Sequence, residues 1–146
     1  MNRYISDELR RFVASRAGNI CEYCLIHEDD TFFGCELDHI ISIKHGGSTE
    51  PDNLAYVCAL CNRHKGSDVG SILPETNEFA RFFNPRKDLW TDHFRLDGSF
   101  IQSLTDIAKV TVQILNINDD CRILERQALV DVGRYPPIWL PDLWNL

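Results

Sequence analysis

Apolar residues at Leu9, Phe12 and Val13 recur at the spacing that places side chains on one face of a helix, and Ser6 ahead of them has the chemistry of an N-cap. The pattern predicts a helix running to about Ala17 and stopped by Gly18-Asn19. Further on, Leu37 to Ile43 reads as a strand, His45-Gly46-Gly47-Ser48 as a loop, Leu54 to Val57 as a second strand, and Cys58 to about Gly66 as a short helix. That is a β-β-α unit. Trp90 to Leu96, an Asp97-Gly98 turn and Phe100 onward predict a hairpin. Thr105 is placed to cap a helix carrying Ile107, Val110, Ile114 and Leu115, and a last helix is expected from Arg122 to about Val132, before Pro136-Pro137 and Pro141. With no internal repeat and no flexible linker, the expected fold is α+β. It is read as one compact domain, with a core at 1–70 and an accessory hairpin-plus-helix region at 71–146 packed on it.

Composition agrees with such a core: the 146 residues are 44% hydrophobic and 25% charged. The longest apolar runs, such as Leu54 to Leu60, are too short to span a bilayer, and Met1-Asn2-Arg3-Tyr4 lacks the apolar centre of a signal peptide. The expectation is a cytoplasmic protein with no membrane association. In a reducing compartment regularly spaced cysteines are better read as metal ligands than as disulfides. The net charge of -7 argues against a protein that coats nucleic acid, but a bound cation can supply positive charge locally.

Cys21-Glu22-Tyr23-Cys24 and Cys58-Ala59-Leu60-Cys61 are two C-x-x-C knuckles, each offering two thiolates at the spacing of a tetrahedral zinc ion. Four sulfur ligands leave no open position, so this zinc is expected to be structural. Joining residue 24 to residue 58 closes a loop around the whole β-β-α segment. Cys35 and Cys121 lack such partners and are expected in the core or on the surface.

Inside the loop stand Asp38-His39-Ile40-Ile41, Gly46-Gly47 and Asp52-Asn53-Leu54, and the second knuckle continues as Asn62-Arg63-His64-Lys65-Gly66. This order closely resembles the HNH endonuclease family, also called ββα-metal or His-Me finger nucleases, across residues 21–66. The resemblance implies that His39 is the general base that takes a proton from water, a task suited to imidazole. It implies that Asp38 and Asn62 hold one Mg²⁺ or Mn²⁺ through oxygen, and that Asn53 fixes the loop so that His39 points at the phosphate. The family's last letter is histidine; Asn62 stands there, making this an H-N-N variant whose amide oxygen favours hard cations. Asp38 and His39 are strand neighbours that would face opposite sides, so a bulge or the strand end must bring them together.

The implied activity is metal-dependent hydrolysis of DNA phosphodiester bonds, RNA not excluded, leaving 5′-phosphate and 3′-hydroxyl ends. The alternative is a catalytically silent zinc-stapled module that binds nucleic acid or protein. Lys65 shares a helix face with Asn62 and is expected to contact the phosphate or to serve the structure. Arg63 and His64 beside it read equally as contacts to the nucleic-acid backbone or as solvated helix charge. His45 is read as a loop residue, and His27 and His93 as solvent-facing or packed. The basic residues at 1–18 (Arg3, Arg10, Arg11, Arg16) and at 81–95 (Arg81, Arg86, Lys87, Arg95) are the expected contacts to the nucleic-acid backbone. Trp90, Phe94 and Trp144 read more readily as core than as base-stacking residues. The segment Phe83-Asn84-Pro85-Arg86 with Trp90 and His93-Phe94 looks like an extension found on some bacterial HNH proteins.

Overall fold

The computed structural model describes residues 4–137; Arg3, Pro141 and Trp144 lie outside them. Ser6 does cap the first helix, α1 (Asp7–Arg16): its side chain accepts from Leu9 N at 3.1 Å, satisfying one of the free donors of the first turn. Val13 and Ala17 are buried from this helix, whereas Phe12 is exposed, with the Arg16 guanidinium 5.2 Å from its ring centre.

Two strands follow, β1 (Cys35–His39) and β2 (Leu54–Cys58), paired antiparallel from Cys35 opposite Cys58 to His39 opposite Leu54. All five residues of β2 are buried, and the period of two explains why. Leu54 and Tyr56 pack in a small cluster with Val13 and Ala17 of α1, while Ala55 and Val57 belong to the main core. The helix α2 (Ala59–Lys65) starts directly from β2, completing the strand-strand-helix unit. The expected strand Leu37 to Ile43 is corrected at both ends. It begins two residues earlier, and after His39 the chain bends into a 3-10 turn at Ile43–His45 because the ladder with β2 has run out.

The second half contains the hairpin strands β3 (Gly70–Ile72) and β4 (Phe79–Arg81), a single helical turn α3 (Trp90–His93), the hairpin β5 (Phe94–Asp97) and β6 (Phe100–Ser103), then α4 (Asp106–Ile114) and α5 (Asp120–Asp131). The β3–β4 pair was not foreseen, and Trp90–His93 is helical rather than part of the expected hairpin. Thr105 caps α4 as its position suggests, accepting from Ala108 N at 3.1 Å. Asp119 caps α5 by accepting from Cys121 N at 3.1 Å, so that helix begins two residues before the expected Arg122.

One apolar cluster draws on both halves, joining Cys21, Tyr23, Val57 and Cys61 to Phe83, Trp90, Phe94, Val110 and Leu115. Polar contacts run through the same region. Trp90 Nε1 donates to the Tyr23 carbonyl at 2.9 Å, and the Tyr135 hydroxyl donates to the Cys24 carbonyl at 2.8 Å. Trp90 and Phe94 are therefore core, and His93 packs against Phe83 with Nδ1 2.7 Å from Thr105 Oγ1.

Two arginines of the basic segment at 81–95 are paired with carboxylates of the protein itself, Arg81 at the surface and Arg86 in the interior. Arg81 makes a two-pronged pair with Asp88, and Arg86 pairs with the buried Glu22 while donating to the Leu54 carbonyl at 3.1 Å. Burial pushes the Glu22 carboxyl above its ordinary range although Arg86 and the Tyr56 backbone N–H pull it down. Removing one side of such a pair leaves a buried, uncompensated charge. Glu22→Ala is therefore expected to destabilise the fold by about 3–5 kcal/mol in urea unfolding. A loss indistinguishable from that of an exposed carboxylate would contradict this role.

Candidate functional site

Cys21 and Cys24 lie in a tight knuckle: Cys21 N donates to the Ile26 carbonyl at 2.8 Å, and Leu25 adopts φ +66° directly after Cys24. Cys58 is the N-cap of α2 and Cys61 sits one turn into it, so strand end and helix start present the second pair. The four sulfurs are buried and lie within 4.8 Å of one another. Cys24 Sγ and Cys58 Sγ are 3.7 Å apart, close to the roughly 3.8 Å between sulfurs that tetrahedral zinc–thiolate bonds of about 2.3 Å require. The cluster suggests a structural metal such as zinc. Cys35 is partly buried and Cys121 exposed, and neither joins it.

The strand-end problem for Asp38 and His39 has a simple solution here. Both line one open cavity of about 410 Å³, together with Ser42, Lys44, Gly66 and Ser67, because β1 stops at His39 and the chain turns away. Asp38 is buried with its Oδ2 3.0 Å from the Lys65 ammonium, and the hydroxyl of Ser42 is a buried polar atom without a hydrogen-bond partner in that cavity. Such an atom commonly awaits an ion or water. Burial pushes the Asp38 carboxyl up to about 6, although the neighbouring Lys65 ammonium pulls it down.

Asn53 has the geometry foreseen for it. Its Oδ1 accepts from Ile41 N at 2.9 Å, and its Nδ2 donates to the carbonyls of Ile41 at 2.9 Å and Ser48 at 2.8 Å. Its own carbonyl accepts from Ile40 N at 2.8 Å. One side chain thus ties both ends of the loop that follows His39. Gly47 is needed for the same closure: a Cβ there would lie 1.7 Å from the Ile41 oxygen and 2.8 Å from Asn53 Nδ2. The His39 ring is steadied by Thr49, whose Oγ1 lies 3.0 Å from Nε2.

On α2, Asn62 and Lys65 share a face turned to β1, as their spacing requires, but each meets a different carboxylate. Asn62 Nδ2 donates to Glu36 Oε2 at 2.6 Å, which turns the amide oxygen away from that carboxylate. Lys65 is only 1% exposed, with its ammonium 3.0 Å from Asp38 Oδ2 and donating to the His39 carbonyl at 3.0 Å. Its charge is thus engaged by the protein rather than directed to solvent, the structural of the two roles expected of it. Arg63 and His64 are exposed on the same helix, and His45 is exposed in the loop. His27 is buried and caps a turn, its Nδ1 accepting from Asp29 N at 3.0 Å. Glu36, Ser42 and Thr49 were not singled out beforehand; only their position in space marks them.

Residues 21–68 match the family model for HNH endonuclease. No curated protein and no solved structure matches the chain. The HNH segment runs from the first ligand of one knuckle to just past α2, and with the four cysteines it fits a zinc-stapled ββα-metal core within a mixed α+β fold. The match suggests a nuclease-type function for this segment, at the level of the family. Among the described residues no helix is long and apolar enough to cross a membrane.

Two outcomes follow from the geometry. Gly47→Ala is expected to displace the Ile41–Asn53 contacts and cost about 3 kcal/mol in denaturant unfolding; unchanged stability would mean that the loop has room for a side chain. Cys58→Ser is expected to lose bound zinc and folded structure together, followed by metal analysis and circular dichroism. A folded, zinc-free variant would refute the staple.

Proposed function

We propose that the chain is a metal-dependent endonuclease that hydrolyses phosphodiester bonds of DNA, with its reacting groups at the end of β1. The observation that carries this reading is the cavity in which Asp38 and His39 meet, with the buried hydroxyl of Ser42 left unpartnered beside them. The donor set fits a hard cation: a buried carboxylate on β1 and an amide oxygen on α2 are oxygen ligands of the kind Mg²⁺ or Mn²⁺ accepts. Asp38 and Asn62 would hold the ion. When bound, it supplies positive charge at the scissile phosphate and the leaving oxygen.

His39 takes the proton from the attacking water at its imidazole ring, whose rotation Thr49 restrains. Asn53 acts through the loop: by tying Ile41 and Ser48 together it keeps His39 at the mouth of the cavity, and is a positioning residue. Lys65 holds the Asp38 carboxylate and the His39 carbonyl in one arrangement. Arg63 and His64, exposed on α2, are the side chains offered for contact with the nucleic-acid backbone. In this reading residues 1–70 form the nuclease core and 71–146 its packed support.

The test is cleavage of supercoiled plasmid in Mg²⁺, in Mn²⁺ and in chelator. His39→Ala should lower the rate by roughly 10²–10⁴-fold, the range for loss of a general base, while zinc content and fold persist. Equal cleavage by the variant would overturn the role of His39, and cleavage that persists in chelator would overturn the metal requirement.

A further inference from the structure

The C-terminal half reaches the cysteine cluster through Arg122. This residue lies in the first turn of α5, is 7% exposed, and directs Nη2 at two sulfurs, 3.0 Å from Cys61 Sγ and 3.8 Å from Cys58 Sγ. Its Nη1 donates to the carbonyls of Leu115 at 2.8 Å and Asn116 at 3.2 Å, where α4 ends. One guanidinium therefore joins the end of α4 to the start of α2. A buried cation needs nearby anions. Four thiolates around Zn²⁺ carry a net charge of about -2, and the carbonyl end of α4 adds the negative pole of a helix.

One turn further along α5, Arg126 provides a natural comparison. It is 2% exposed and equally committed, but its partners are the carbonyls of Ser99 and Ile117 and the amide oxygen of Asn118. All of these are neutral. Of two buried, hydrogen-bonded arginines on one helix, only Arg122 touches sulfur.

We propose that Arg122 is a working part of the zinc site: its N–H groups hydrogen-bond the ligand sulfurs, offset their charge and tighten the hold on the metal. Partners that bond to metal ligands tune affinity in this way. The C-terminal half is then needed to retain zinc as well as to cover the core. The inference rests on the cysteines holding zinc and not on the cleavage chemistry.

The experiment measures Zn²⁺ affinity of the full chain by competition with a chromophoric chelator, in Arg122→Leu and Arg122→Lys and in the matching Arg126 variants. Arg122→Leu is expected to bind zinc roughly 10–100-fold more weakly, with Arg122→Lys in between and the folded Arg126 variants unchanged. In the cobalt(II)-substituted protein, loss of N–H···S bonds should move the sulfur-to-metal charge-transfer band to lower energy in Arg122 variants only. Wild-type zinc affinity in the Arg122 variants, or an equal loss in the Arg126 variants, would overturn the proposal. Should the leucine variants not fold, the lysine pair decides by the same comparison. A wild-type chain that binds no zinc would instead overturn the zinc reading beneath it.

Discussion

Bringing Cys24 and Cys58 together makes two points of the chain, 34 residues apart, neighbours in space. In the chain-entropy picture of a cross-link, closing a loop of that length removes roughly 4 kcal/mol of freedom from the unfolded state. The segment it encloses has only a two-stranded sheet and short 3-10 turns of its own, with α2 starting directly after it, and an isolated pair of strands is at best marginal in water. The closure anchors the start of α2 to the first knuckle and so adds to the contacts that hold α2 across β1, where Asn62 meets Glu36 and Lys65 meets Asp38.

Around this staple the protein buries cations beside anions rather than leaving either alone. Lys65 faces Asp38, Arg86 faces Glu22, and Arg122 faces the sulfurs of Cys58 and Cys61. Arg16 and Arg86 both donate to the carbonyl of Leu54, so α1 and the second half converge on the first residue of β2. Buried pairs of this kind contribute little net stability, but breaking them is costly, and they fix which segment lies against which. The net negative charge of the chain therefore says little about the site, because several of the positive charges are engaged inside the fold.

Features set by short-range spacing were legible in the sequence. The caps at Ser6 and Thr105, the spacing within each knuckle and the shared face of Asn62 and Lys65 each depend on residues a few positions apart. What was missed depends on distance along the chain. Arg122 meets Cys61 across 61 residues and Arg86 meets Glu22 across 64, and no local pattern marks either. The strand end at His39 was hidden by the apolar residues Ile40, Ile41 and Ile43, which continue the strand's composition after its partner has run out. The three-residue strands β3 and β4 were too short to declare a period.

Asn53 stands just before β2 and presents its side-chain amide to Ile41 as a neighbouring strand would present a peptide group, one donor and one acceptor side by side. It is in effect an extra rung beyond the last backbone pair, His39 and Leu54. The substitution of a single NH₂ by oxygen, as in conversion of this asparagine to aspartate, would keep the size and the acceptor but set a carboxylate against the carbonyls of Ile41 and Ser48. An isosteric acid there would set like against like at two carbonyls, so the shape of the loop behind His39 hangs on the identity of one atom.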